Sequence, residues 1–200
     1  MPPKLHNDRA LRIIAAARHE FASSGFAGAR VDRIARRAGV NKQLVFYYYH
    51  SKRGLFQAVL SRGARELEQA LATVALAAGS EAGPLERLGA ALEALFEFLA
   101  RHPDLVTLLT QAGRSDARPF APAISRLVVL LAEGQGLGQV RDDVDPHLTA
   151  AQALVLMIAY LGLESLIAAS APSLGSDEPA LSRRWKDAAV RLVLEGVAAR

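Results

Sequence analysis

The feature that most constrains the fold is a pair of short amphipathic segments joined by four residues that interrupt a helix. Apolar side chains recur at helical spacing from Val31 to Ala38, which predicts a helix of about two turns. Gly39 can then adopt the left-handed conformation that turns the chain sharply. Asn41 can cap a second short helix that extends through Tyr49. Two helices around such a turn are the helix-turn-helix arrangement, whose second helix is the recognition helix.

Helical patterns continue on both sides of this pair. A first helix is predicted with Asn7 or Asp8 as its cap and Gly25 near its end, and Ser51 can cap a fourth helix that extends to Ala78. Aromatic residues make up only 6% of the chain and β-branched runs are rare, so no strands are expected. The sequence predicts an all-α fold of about nine helices, the later ones near residues 85–101, 103–112, up to 133, 146–169 and 179–199.

Charge is distributed very unevenly along the chain. Residues 1–65 contain 13 Lys and Arg and 3 acidic residues, a net charge of +10, whereas the other 135 residues contain 11 basic and 17 acidic residues, a net charge of −6. A positive amino-terminal module on an acidic body is typical of a polyanion-binding domain. A basic face that has no partner is the alternative that charge alone leaves open.

A dense, ordered set of motifs occupies residues 25–56: Gly25-Phe26, Val31-Asp32-Arg33-Ile34-Ala35-Arg36-Arg37-Ala38-Gly39-Val40-Asn41-Lys42, Phe46-Tyr47-Tyr48-Tyr49 and Ser51-Lys52-x-x-Leu55-Phe56. This set resembles the TetR family of bacterial repressors. The resemblance implies an all-α homodimer with a three-helix DNA-binding domain at residues 1–65, its helix-turn-helix at about 31–50. A helical ligand-binding and dimerisation domain would occupy residues 66–200. A small effector that enters this domain would release the protein from double-stranded DNA.

The resemblance also implies which side chains face DNA. Lys and Gln can hydrogen-bond purine edges, apolar side chains can touch thymine methyls, and tyrosine hydroxyls can reach phosphates. Core packing is an alternative for Phe46, Tyr47 and Tyr49, as is solvated charge for the two lysines. The expected DNA-binding residues are Lys42, Gln43, Leu44, Phe46, Tyr47, Tyr48 and Lys52.

Three departures from the family pattern concern this region. Arg30 and Val31 replace the usual Ser or Thr cap of the second helix, so this cap is absent or is supplied by the backbone. Gln43-Leu44 replaces a common Gly-Thr pair, and His50 follows Tyr49 where small or polar residues are frequent. The operator sequence therefore cannot be borrowed from a relative.

The last two predicted helices are more apolar than one small subunit needs. They are expected to form a two-fold interface between subunits, although both could simply close the subunit's own core. Residues 148–169 approach the length of a membrane span, but Gln152 and Glu164 interrupt them, so a buried interface helix is preferred. An apolar or amphipathic effector would be enclosed by residues between 85 and 166, or these would be plain core. The candidate lining residues are Phe96, Leu99, Gln111, Met157 and Tyr160.

Enzyme chemistry is not expected. The chain has no cysteine, its 5 histidines show no metal-ligand spacing, and neither a metal nor a cofactor is predicted. Gly134-x-Gly136-x-Gly138 follows no predicted strand, so it is interpreted as a turn between helices, and Glu93 with Glu97 as a solvated helix face. The segment before residue 18 is too polar for a signal peptide, which favours a cytoplasmic location. A small-molecule binder with a vestigial basic domain, an activator and a nucleoid-type binder stay open as alternatives.

Overall fold

A computed structural model describes residues 3–77, 82–112, 118–170 and 178–199 of the chain. Within these ranges it contains nine α-helices, one short 3₁₀ turn at Arg118–Phe120 and no strand, which confirms the all-α prediction. The single β-type contact is an isolated antiparallel bridge between Val140 and Ala198. The helices are α1 (Pro3–Gly28), α2 (Val31–Ala38), α3 (Lys42–Tyr49), α4 (Lys52–Ala77), α5 (Pro84–Ala100), α6 (Pro103–Gln111), α7 (Ala121–Gly136), α8 (Pro146–Ser170) and α9 (Glu178–Val197).

The first helix begins earlier than the sequence pattern indicates. It starts at Pro3, so Asn7 and Asp8 lie inside it and the prediction that one of them caps it is wrong. Proline suits a first helical turn because its missing N–H would have no intrahelical acceptor there. Gly25 interrupts the helix with φ 66° and ψ 168°, close to the predicted end.

The turn predicted at Gly134-x-Gly136-x-Gly138 begins later, at Leu137, and includes only Gly138 of these three glycines. The helix continues through Gly134 to Gly136, and only Gly138 has a positive φ, at 68°. A Cβ atom on Gly134 would lie 2.5 Å from Cγ2 of Val140, so close packing explains a glycine at this position. Helix α7 begins at Ala121; residues 113–117 and the predicted helix end at Ala78 lie outside the described residues.

The chain divides into two compact units. The first contains the described residues of Met1–Arg65 and Asp104–Pro119, that is α1 to α3, the first half of α4 and α6. Its core includes a cluster of three aromatic rings, in which Phe56 lies 5.1 Å from Phe21 and 5.2 Å from Phe26 between ring centroids. Helix α6 is fastened to α1 by a two-pronged ion pair between Arg18 and Asp104.

The second unit contains the described residues of Glu66–Pro103 and Phe120–Arg200. Helix α5 is its central element and packs against α7, α8 and α9. Ten of its 17 residues are buried, because apolar side chains point in nearly every direction around the helix. The assignment of separate functions to residues 1–65 and 66–200 stays a prediction.

Candidate nucleic-acid interface

The turn between α2 and α3 is closed by local hydrogen bonds. Gly39 takes the left-handed conformation, with φ 63° and ψ 41°, and Val40 donates its N–H to the carbonyl of Ala35 at 3.0 Å. The Asn41 side chain accepts a hydrogen bond from the N–H of Leu44 at 2.7 Å. Both features were predicted from the sequence, as was the cap of α4, where Ser51 Oγ accepts from the N–H of Gly54 at 2.9 Å.

The start of α2 has no side-chain cap, which confirms the expected departure at Arg30. A carboxylate from α1 lies there instead. Glu20 Oε1 accepts hydrogen bonds from the N–H of Arg30 at 3.0 Å and from Nε of Arg33 at 2.7 Å. Burial raises the pKa of Glu20, but these two hydrogen bonds and the positive charge of Arg33 outweigh it, so the pKa is lowered from its ordinary value of 4.5.

Helix α3 exposes most of its surface. Among its residues only Val45 is buried, at 1% exposure, so this side chain anchors the helix to the unit. Tyr49 is half-buried and donates its hydroxyl to the carbonyl of Ala10 at 3.1 Å, a packing role that agrees with the core alternative. Of the seven predicted DNA-binding residues, Lys42, Gln43, Phe46 and Tyr47 are exposed, and Leu44, Tyr48 and Lys52 are half-buried.

Both lysines among the predicted DNA-binding residues have partners within the protein. Lys42 Nζ lies 3.0 Å from Oδ1 of Asp32, on α2. Lys52 Nζ donates to the carbonyl of Ala27 at 3.0 Å and lies 5.1 Å from the centre of the Phe26 ring. Each ammonium has three N–H donors, so both can bind a further acceptor while they keep these contacts. The partners come from distant positions in the chain, and no local motif indicated them.

Comparison with known proteins identifies this arrangement. A family model described as bacterial regulatory proteins, tetR family, matches residues 13–59. The HTH-type transcriptional repressor SCO4008 from Streptomyces coelicolor is 32% identical over 155 residues, which are 74% of this chain and 73% of that protein. The chain belongs to the TetR family. As a TetR-family protein it is a DNA-binding transcriptional regulator, and the predicted resemblance is confirmed.

Solved structures agree with this TetR assignment over nearly the whole chain. The transcriptional regulator SCO4942 from Streptomyces coelicolor is 30% identical, with a TM-score of 0.73 over 94% of this chain and 97% of that one. FadR from Bacillus subtilis, solved in complex with stearoyl-CoA, has a TM-score of 0.72 over 93% of this chain and 98% of its own. At 18% identity, FadR shows a shared fold alone.

Four of the five predicted effector-binding residues of this TetR protein are buried in the second unit. Phe96 stacks on Tyr160 with 6.0 Å between ring centroids, and Tyr160 stacks on Trp185 at 4.6 Å. Leu99 and Met157 are also buried, whereas Gln111 lies on α6 in the first unit and is exposed. Trp185, the third ring of this stack, was not among the residues predicted from the sequence. Its buried Nε1 has no hydrogen-bond partner among the described residues.

A separate cavity of about 230 Å³ lies between α4, α5 and α7. Most of its lining residues are apolar, and its two lining arginines are in ion pairs, Arg87 with Glu133 and, at a long 3.5 Å, Arg126 with Glu68. Buried Nε atoms of both arginines have no partner among the described residues. No pattern in the sequence predicts this cavity, because its walls come from three helices. They consist of Leu71, Val74, Ala75, Arg87, Ala90, Ala91, Arg126, Val129, Leu130 and Glu133.

Helices α8 and α9 leave apolar side chains uncovered. By length and composition Pro146–Leu163 could cross a membrane, with a mean hydropathy of 1.4, and 22% of it is buried within the subunit. The alternative that this helix closes the subunit's own core is therefore wrong for most of this segment, whereas its place in an interface between subunits stays a prediction. The TetR family consists of soluble DNA-binding regulators. The large exposed apolar residues of the two helices are Leu148, Val155, Leu163, Leu166 and Leu192.

One residue of the acidic pair on α5, Glu97, is bonded to a lysine of α9. Glu97 Oε1 accepts a hydrogen bond from Nζ of Lys186 at 3.0 Å, and this bond raises the pKa of the lysine. The relatives that the chain matches are regulators. Both observations favour the interpretation of Glu93 and Glu97 as a helix face.

Proposed function

We propose that the protein is a homodimeric repressor that inserts α3 of each subunit into successive major grooves of a pseudo-palindromic operator. The observation that carries this proposal is the exposed surface of α3, in which only Val45 is buried, on a segment with a net charge of +10. Helix-turn-helix dimers read half-sites one helical turn apart in this manner. The chain is similar to the repressor SCO4008, which supports repression as opposed to activation.

Six side chains of α3 have roles in DNA binding in this proposal. Lys42 and Gln43 hydrogen-bond base edges, Leu44 and Phe46 contact thymine methyls, and Tyr47 and Tyr48 donate to phosphate oxygens. Lys52 begins α4, a helix of 26 residues, so its ammonium and the helix amino terminus together attract a phosphate.

The dimer interface in this proposal is formed by α8 and α9. Their exposed leucines and valine, and a groove between them of about 330 Å³, present an apolar surface that a second copy of the same helices can cover. A two-fold interface suits this surface because both subunits offer the same patch. Residues 1–65 would then bind DNA while residues 66–200 dimerise and bind an effector, in the cytoplasm.

The effector in this proposal is an apolar or amphipathic organic molecule. Its site is the region of Phe96, Leu99, Met157 and Tyr160 in the second unit, to which Trp185 adds an N–H donor that has no partner among the described residues. Gln111, in the first unit, stays a separate candidate. FadR, of the same fold, was solved with stearoyl-CoA, so this fold can hold a long apolar chain. A tenfold loss of operator affinity requires an effector coupling of about 1.4 kcal/mol.

Selection of bound duplexes from random-sequence DNA, followed by affinity measurements at several salt concentrations, tests this function. A specific dimer should select short symmetric sites. With about six to eight phosphates neutralised, the slope of log K against log salt should be about −5 to −7. A flat salt response, or the absence of any selected sequence, would contradict the proposal.

A further inference from the structure

Glu20 is the one charged residue that is buried among the described parts of the chain, with 8% exposure. It lies on α1, and a single carboxylate oxygen accepts from the backbone of Arg30 and from the guanidinium of Arg33. A buried carboxylate is costly unless it is paired and hydrogen-bonded. Both conditions are met here by the residues that begin α2.

Arg33 extends this contact around the corner between α1 and α2. Its Nη2 donates to Oγ of Ser24 at 3.3 Å and to the carbonyl of Gly28 at 3.2 Å. One planar guanidinium on the first turn of α2 therefore contacts α1 on both sides of Gly25, at Glu20 and Ser24 before it and at Gly28 after it. A lysine has the same charge but not this fork of fixed donors.

The same first turn of α2 also contacts the recognition helix. Asp32, in this turn, pairs with Lys42, the first residue of α3. The orientation of this turn on α1 therefore affects where Lys42 and the rest of α3 lie. Because α2 has no side-chain cap of its own, Glu20 is the group that holds its start.

We propose that Glu20 is a positioning residue for DNA recognition, which acts through Arg30 and Arg33 to set α2, and thereby α3, on the helix α1. Its carboxylate is buried, so it sets the geometry of base reading without touching DNA. The inference rests on the proposed reading of DNA by α3. It makes a distinctive prediction, namely that removal of the carboxylate lowers the preference for a specific site more than the affinity for DNA in general.

The test compares a duplex selected by the wild-type protein with a shuffled duplex of the same composition. We expect Glu20→Leu to weaken binding to the selected duplex roughly tenfold, the size of effect of a lost helix cap. Binding to the shuffled duplex should be unchanged or tighter, because the variant has gained one unit of positive charge. Glu20→Gln keeps an oxygen acceptor and should restore most of the preference.

Arg33→Lys tests the same contact without a change in charge. It therefore tests the inference even if Glu20→Leu does not fold. We expect a loss of preference for the selected duplex and an unchanged salt slope. The matched control is Arg36→Lys, since Arg36 is exposed on the same helix and its side chain has no hydrogen bond to the described residues. This control should leave the preference unchanged.

Two results would overturn the inference while the proposed function stands. A parallel fall in affinity for both duplexes, together with a lower melting temperature, would assign Glu20 to stability alone. A parallel rise for both would assign it to simple charge repulsion. If the wild-type protein preferred no duplex at all, the proposed function would fail, and the inference with it.

Discussion

Lys42, one of the residues predicted to bind DNA, is paired within the protein with a carboxylate on the preceding helix. Its ion pair with Asp32 is exposed on both sides, with 50% and 62% of the two side chains accessible. Exposed pairs of this kind contribute little to stability. In the proposed complex this pair would affect DNA binding instead, because Asp32 places a negative charge beside the ammonium that would meet a phosphate or a base.

Replacement of Asp32 by Asn should therefore strengthen binding to DNA of any sequence. We expect a gain of roughly twofold to tenfold for a shuffled duplex at low salt, because one repulsive charge is lost and Lys42 is released. Fluorescence anisotropy at several salt concentrations measures this affinity. Asp8→Asn is the control, since it removes the same charge from an exposed position on α1. Equal gains in the two variants would contradict a specific role of the pair.

Glu20 should make stability depend on pH in the acid range. Its folded-state pKa is lowered from 4.5, so it contributes stability at pH values above 4.5 that is lost as the pH falls through the lower, folded value. At pH 7 the wild-type protein should therefore be more stable than Glu20→Gln, and the gap should close in acid. Urea unfolding from pH 7 down to the acid limit of folding measures it. A gap that is constant over this range would contradict the assignment.

At the scale of single elements, the short helix α3 depends on its cap. Asn41 satisfies the N–H of Leu44, and a helix of 8 residues has few internal hydrogen bonds. Asn41→Ala should lower the free energy of unfolding by about 1 kcal/mol. Urea denaturation measures this change. Gln43→Ala, at an exposed position two residues later, should change the same free energy by much less, and equal losses would argue against the cap.

The sequence predicts elements well where their ends are set by local chemistry. Gly39, Asn41 and Ser51 each act on residues within five positions along the chain, so spacing and residue type predicted their roles. The start of α1 was wrong because a proline can begin a helix where no polar cap stands. The end of α7 was wrong because Gly134 serves the packing of Val140 and not a turn.

Contacts between distant residues account for what the sequence could not predict at the site. The pairs Glu20–Arg33 and Lys42–Asp32 join different helices, and Lys52 reaches back to Ala27. Opposite charges are common on a helical surface, so no spacing rule singles out these partners. The aromatic stack was not predicted, because Phe96 and Tyr160 were named only as candidate lining residues and no spacing rule brings Trp185, on another helix, to them.

At the scale of the whole molecule, the apolar face of α8 and α9 should decide the oligomeric state. Val155 is 64% exposed and Leu192 65% exposed, so the proposed interface would bury both. Val155→Glu with Leu192→Glu places two charges there, which should dissociate the dimer because unpaired buried charges are costly. Sedimentation should give half the wild-type mass.

The control for this experiment is Leu76→Glu, at a leucine of α4 that is 83% exposed and outside the proposed interface. It should leave the mass unchanged. The double variant should also bind the selected duplex far more weakly than the control, since a single subunit would then contact a single half-site. A double variant that keeps the wild-type mass would rule out α8 and α9 as the interface.

The stack of Phe96, Tyr160 and Trp185 makes part of this protein visible without a label. The chain has a single tryptophan, so all indole emission comes from one place, 4.6 Å from the Tyr160 ring. The indole N–H has no partner among the described residues, so a molecule that accepts a hydrogen bond from it would change the wavelength and intensity of that emission. Helix α3 contains tyrosines and no tryptophan, so a duplex bound there would not contact an indole. Intrinsic fluorescence can therefore follow effector binding in solution, even when DNA is present.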